Sequence, residues 1–204
     1  MRVPQLRITA GVLLFVLLLT GLHTARAQST TFKVEPDDGS LVKFTSHAQL
    51  ESFDGTTKRI AGDFTFDPQN LDGGISGKLE VDMTDLSTGN ILRDGHMRKD
   101  FLEIKNFPRS SFVPKKIIAS SMEALPGKQA VNFKLEGDFT LHGVTRTIQP
   151  DVTATWNPDT KSLDVDAKWT VLLKDYNIPL PQFVVLKLAQ EQNVEVKFTA
   201  KQSS

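Results

Sequence analysis

Apolar and polar residues alternate along most of this chain with a period of two, clearest between Gln129 and Leu141. There Val131, Phe133, Leu135, Gly137, Phe139 and Leu141 interleave with Asn132, Lys134, Glu136, Asp138 and Thr140. Successive side chains of a strand point to opposite faces, so this stretch predicts a strand with one dry and one wet side. At ~3.3 Å per residue it would run about 40 Å, which suits a deep barrel better than a small sandwich. The same alternation recurs in Ile60-Gly62-Phe64-Phe66, Ile75-Gly77-Leu79-Val81-Met83, Ile148-Pro150-Val152-Ala154-Trp156 and Leu163-Val165-Ala167-Trp169-Val171. Shorter pieces are Phe32-Val34, Val42-Phe44 and Val194-Val196-Phe198.

Turn signals separate these runs: Asp67-Pro68-Gln69-Asn70, Asp72-Gly73-Gly74, Pro126-Gly127, His142-Gly143 and Asn157-Pro158-Asp159. Short connections imply antiparallel pairing, because parallel strands need long crossovers. About eight such strands are present, enough for a closed barrel that removes exposed sheet edges. Two stretches break the pattern. Residues 87–99 (STGNILRDGHMRK) read as a loop with a short helical turn opening at Thr88, and residues 181–190 (PQFVVLKLAQ) as a short helix or a strand. The fold class is therefore all-β, an antiparallel lipocalin-like barrel of about eight strands with one or two short helical segments.

The first 27 residues follow a different rule. Arg2 and Arg7 precede an apolar run from Val12 to Leu19, and Ala25-Arg26-Ala27 offers a small-x-small cleavage site. That run is far short of the ~20 residues that span a bilayer. The expectation is a secretory signal over 1–27, cleaved after Ala27, ahead of one domain over 28–204, with no stable membrane span in the mature form. Removing the signal takes three arginines from the 24 basic residues, leaving 21 against 24 acidic ones. A mildly acidic exported chain is a poor candidate for nucleic-acid binding. The absence of cysteine excludes a disulfide framework, a thiolate metal cluster and a thiol nucleophile.

Catalytic templates fit badly. Gly73-Gly74-Ile75-Ser76-Gly77-Lys78-Leu79 is one residue short of a phosphate loop and has Leu79 where Ser or Thr is needed. It reads instead as a Gly-rich hairpin turn. Gly74-Ile75-Ser76-Gly77 brings its second glycine one position too early for a nucleophile elbow. Beyond the signal, His47, His96 and His142 are the histidines, and none is spaced i, i+4 from another. The carboxylate pairs Asp37-Asp38 and Glu80/Asp82 read as solvated surface. A metal-assisted hydrolase using Asp94, His96 and His142 stands as an alternative, and a packed structural or stress-related protein as another; the chain is not expected to be an enzyme, and no cofactor is implied.

The dry face is aromatic and glycine-rich: Phe44, Phe64, Phe66, Phe112, Phe133, Phe139, Trp156 and Trp169, with Gly62, Gly77 and Gly137 between them. Such residues either fill a core at crystal-like density or line a cavity in which the glycines leave room. Composition alone favours the packed core.

Three segments resemble the YceI-like family, exported lipocalin-type proteins associated with polyisoprenoid binding. They are Ser87-Thr88-Gly89-Asn90 through Arg93-Asp94-Gly95-His96-Met97-Arg98 to Asp100-Phe101, with Phe107-Pro108 and Phe112; Leu135 to Arg146; and Phe32, Val42-Phe44, His47 and Gly62-Asp63-Phe64. Phe107 stands where that family often has Tyr, and residues 175–193 are longer and more apolar than its pattern. The resemblance implies a periplasmic carrier that holds an isoprenoid or other long-chain amphiphilic lipid in a barrel channel. It implies channel-lining roles for Phe44, Phe64, Phe66, Leu79, Val81, Phe112, Phe133, Leu135, Phe139, Trp156 and Trp169. Asp94, His96, Arg98 and Arg146 are the head-group candidates, and a homodimer is compatible with the pattern.

Overall fold

A computed structural model of the chain describes residues 29–37, 39–48, 52–180, 182–183 and 186–203; the expected signal lies outside them. Twelve strands are formed among the described residues: β1 (Thr30–Val34), β2 (Leu41–Ala48), β3 (Ser52–Thr57), β4 (Ile60–Asp67), β5 (Asn70–Asp82), β6 (Arg109–Ser120), β7 (Ala130–Leu141), β8 (Val144–Ile148), β9 (Asp151–Asn157), β10 (Ser162–Leu172), β11 (Gln182–Phe183) and β12 (Leu186–Gln202). Eight of them close a circle in the order β1-β4-β5-β6-β7-β9-β10-β12, and β12 returns to β1 through Phe32–Gln202 and Lys33–Lys201. Every pairing is antiparallel. The period-two pattern is realised directly: on β7, Val131 and Phe139 are buried while Asn132 and Lys134 are exposed.

The remaining strands enlarge one end of this barrel. β12 pairs its last residues with β1 but its middle with β2, which carries β3 as an outer neighbour. β7 likewise pairs its first half with β9 and its second half with β8. The wall therefore splays at that end, and two non-strand segments fill the gaps. One is the 3-10 turn Leu173–Tyr176, tied to β8 by Arg146 Nε donating to the Asp175 carbonyl at 3.1 Å. The other contains α1 (Ile91–His96) and a π-turn (Met97–Phe101), and is joined to β3 by reciprocal backbone bonds between Thr56 and Ser87.

The narrow end is packed solid. Phe32 is fully buried, with ring centroids 5.7 Å from Phe64, 5.3 Å from Phe66 and 5.4 Å from Trp156. Leu71 and Leu125 seal it from below, their N–H groups donating to the Glu123 and Pro68 carbonyls. Aromatic rings at these spacings leave no channel through the floor.

Two local expectations are corrected and one open choice is decided. Asp72-Gly73-Gly74 and the glycines after it form no turn; they lie within β5, and the hairpin is made by Asp67 to Asn70. Glycine permits this because Gly74 (φ +91°) and Gly77 (φ +136°) take backbone angles other residues resist, bending the strand without ending it. Of the two readings open for residues 181–190, Gln182–Phe183 and residues 186–190 take the strand: β11 pairs antiparallel with the start of β12. Finally, α1 opens after Asn90 rather than at Thr88, because Asn90 Oδ1 accepts from the N–H groups of Leu92 and Arg93 at 3.1 Å each.

Candidate functional site

Above the packed floor the barrel is hollow. A cavity of about 350 Å³ occupies the splayed end, and a second of about 110 Å³ lies between it and the floor. Val81, Ser110, Phe139, Trp169 and Val196 line both, so the two chambers meet at this ring of residues. The larger one sits at the small end of the range for ligand sites.

The outer chamber is bounded on the barrel side by Val42, Phe44, Leu141, Val171 and Val194, and covered by Met97, Phe101, Leu102 and Ile178. Its polar contacts are few: Lys43, Ser46, Arg93, His96, Ser110 and Gln192. Among the expected lining residues, Phe44, Val81, Phe139 and Trp169 border this chamber; Phe64, Phe66, Leu79, Val81, Phe112, Phe133, Leu135, Phe139 and Trp169 border the inner one. Trp156 borders neither. Its indole meets Phe32 edge-on in the floor, because β9 and β10 pair there at the narrow end.

The glycines do not create the hollow. A Cβ on Gly77 would stand 2.9 Å from that of Phe64, and one on Gly62 3.0 Å from the Leu79 Cα, so the neighbouring strand already fills that space. The expectation that they leave room for a guest is overturned: they let strands and rings approach. What opens the cavity is the splaying of the wall.

Of the four head-group candidates, the structure places only His96 on the cavity wall. His96 is exposed and its Nδ1 lies 2.9 Å from Asp100 Oδ2, so the chamber reaches solvent beside α1. Asp94 is buried under the loop, accepting from Ser87 Oγ at 2.7 Å, Thr88 N at 2.7 Å and Thr88 Oγ1 at 2.6 Å. Burial opposes its ionisation, but the hydrogen bonds from Thr88 and Ser87, helped by Arg98, hold the carboxyl below its usual range. Arg98 donates twice to the Leu86 carbonyl, at 3.2 and 2.8 Å, and Arg146 is an exposed brace on β8. These three shape the cover instead of facing the chamber.

Sequence reasoning missed Arg93. Its guanidinium lies 4.0 Å from the centroid of Phe53, a cation–π contact, and its Nε donates to Thr88 Oγ1 at 2.9 Å. The spacing of Arg93, Met97 and Phe101, each four residues on, is the signal that one face of this helical stretch looks inward.

Asp94, His96 and His142 do not converge. His142 is buried at the β7–β8 hairpin, its Nδ1 3.0 Å from the Tyr176 carbonyl oxygen and its ring 4.5 Å from that of Phe107. His96 and Asp94 belong to two other networks, described above. Among the described residues no group of three or more His, Asp or Glu side chains is arranged to hold a metal ion.

A closed antiparallel barrel, packed at one end and hollow at the other, is a lipocalin-like fold. The profile of the YceI-like domain matches residues 32–201, and the chain belongs to that family. It is 27% identical over 147 residues to a UPF0312 protein of Photorhabdus laumondii, covering 70% of this chain and 67% of the relative. It is 25% identical over 198 residues to a UPF0312 protein of Yersinia enterocolitica, covering 91% and 94%. A polyisoprenoid binding domain from Saccharophagus degradans, implicated in plant cell wall breakdown, superimposes with a TM-score of 0.67 at 14% identity, over 86% of this chain and all of that one.

Proposed function

We propose that this protein is a periplasmic, non-catalytic carrier that holds the prenyl tail of an isoprenoid-type amphiphile in the two confluent chambers. The observation that carries the reading is the continuous apolar hollow above an aromatic floor, with Arg93 and His96 at its mouth. Family membership and the fold shared with a polyisoprenoid binding domain support it.

The energetics are sufficient without strong head-group contacts. Burying each CH₂ contributes about 0.8 kcal/mol, so a five-carbon isoprene unit contributes roughly 3–4 kcal/mol. Three buried units, roughly 9–12 kcal/mol, exceed the ~8 kcal/mol of micromolar binding before ordering costs are subtracted. The tail enters beside α1 and runs toward Phe133 and Leu135 in the inner chamber; the polar end stays near Arg93 and His96. Export by a cleaved signal over Met1–Ala27 places the carrier where a water-insoluble tail needs shelter between membranes.

Native mass spectrometry of protein purified from its host, followed by titration with a prenyl-quinone probe, tests this. The expected result is a bound lipid, or one-to-one uptake of the probe by emptied protein. Repeated purification without lipid, together with no probe uptake, overturns it.

A further inference from the structure

Among the described residues, the two most exposed large apolar side chains are adjacent in sequence and lie beside the cavity mouth. Ile91 is 90% exposed and Leu92 78%, while the next, Val113 and Met122, reach only 38%. Both belong to the first turn of α1, whose later residues Arg93 and His96, with Met97 of the following π-turn, line the outer chamber. Their exposure is imposed by the fold. Asn90 caps the turn, and Asp94 ties it to Ser87 and Thr88, which fixes the backbone from which both side chains project. Single exposed apolar residues are ordinary, but a braced pair on the cover of an apolar cavity calls for a partner.

We propose that the Ile91–Leu92 tip docks on the surface of a lipid bilayer and turns the cavity mouth toward it; this rests on the cavity being a lipid site. The charge nearby suits an anionic membrane. Residues 91–101 carry Arg93, Arg98 and Lys99 against Asp94 and Asp100, and Asp94 is buried with Arg98 at 4.0 Å. Setting that pair aside leaves Arg93, half-buried at the mouth, and exposed Lys99 against exposed Asp100, and basic side chains beside inserted apolar ones are the pattern of interfacial anchors. A second copy of the chain is a poorer fit. Two side chains offer a few hundred Å² at most, against the ~1,200 Å² or more of a stable protein interface.

The test is co-sedimentation with vesicles of phosphatidylethanolamine containing a minority of phosphatidylglycerol, comparing the wild type with the Ile91→Ser/Leu92→Ser double variant. Wild-type protein is expected to partition onto the vesicles, less at high salt, and the double variant to lose about tenfold or more of that affinity. Neither residue lines the cavity, so both proteins should take up a short-chain prenyl-quinone equally in vesicle-free solution, and circular dichroism should show the same fold. Wild type remaining in the supernatant, or a double variant that sediments equally, overturns the proposal. So does concentration-dependent self-association that the variant abolishes without any vesicle binding. Vesicle binding without probe uptake supports the docking tip and overturns the cavity assignment instead.

Discussion

The ring of Phe112 on β6 lies over the backbone of Gly137 on β7, where a Cβ would approach Phe112 Cε2 and the Val113 carbonyl oxygen to 2.7 Å each. The ring thereby covers a strand position that has no side chain of its own, and forms part of the inner chamber's wall. Gly137→Ala should displace Phe112 and destabilise the protein by ~1–3 kcal/mol, the usual cost of forcing extra atoms into a packed contact. Urea denaturation checks it: the midpoint should fall while the slope stays unchanged.

Val81 stands where the two chambers meet. Val81→Trp should block the passage between them, so that affinity for long prenyl tails falls by more than affinity for short ones. Because much of the added indole enters empty space, the stability loss should be at the low end of the ~1–3 kcal/mol range for overpacking. Titration with prenyl-quinones of increasing length reads the first effect and thermal unfolding the second. Equal affinity for all lengths in variant and wild type would show that no tail passes this point.

Glu195 on β12 faces Lys43 on β2 and Lys168 on β10 in register, with Lys197 two residues on. Its carboxyl lies 2.9 Å from Lys43 Nζ and 2.8 Å from Lys197 Nζ. Hydrogen bonding to Lys197 and Lys43 outweighs partial burial and lowers its pKa from 4.5 to about 2. A lowered carboxylate pKa stabilises the folded state above pH 4.5 and loses that contribution as pH falls toward 2. After allowance for screening at the half-exposed Lys197, the contribution is about 1–3 kcal/mol. Glu195→Gln should therefore be less stable than wild type at neutral pH, and the gap should close on acidification through that window. Unfolding midpoints measured across it give the answer.

Tyr176 is the chain's single tyrosine, and its phenol is buried against Phe139, with centroids 5.6 Å apart. Burial raises its pKa from 10 to about 12, against the opposing charge of nearby Arg146 and with a small contribution from Asp175. Ultraviolet difference absorbance should show one ionisation near pH 12 in folded protein, moving back toward 10 on unfolding. The sign is opposite to that of Glu195. Unfolded tyrosine gives up its proton first, so stability is fully present below pH 10 and declines as pH rises toward 12.

Much of the barrel was legible in the order of residues because a strand's two faces are written two residues apart. The alternation from Val131 to Leu141 became β7 with its expected dry side. The His142-Gly143 turn closes the next hairpin with both residues at positive φ. Less legible were Gly74 and Gly77, since glycine marks a bend inside a strand as readily as the end of one. The placement of Trp156 was hidden for a different reason. Alternation says which side of the wall a residue faces, but not how far along the axis it lies, and depth decides between floor and chamber.

What the sequence determined by itself was therefore local and periodic: the strands, most of their turns, the inward set of rings and the segments that mark the family. Only the tertiary structure decided that the barrel is both packed and hollow. Phe32, Phe64, Phe66 and Trp156 meet at the end where β12 closes on β1. At the other end β2, β3 and β8 divert the ladder, and the circle is too wide for its side chains to fill. The loop over that end likewise acquired its roles from contacts distant in sequence. Arg98 and Arg146 were drawn to the Leu86 and Asp175 carbonyls, and Arg93 and His96 were left at the mouth. Contacts between separate segments, Arg146 with Asp175 and Arg93 with Phe53, set those positions, and the local spacing that turns Arg93 inward does not name its partners.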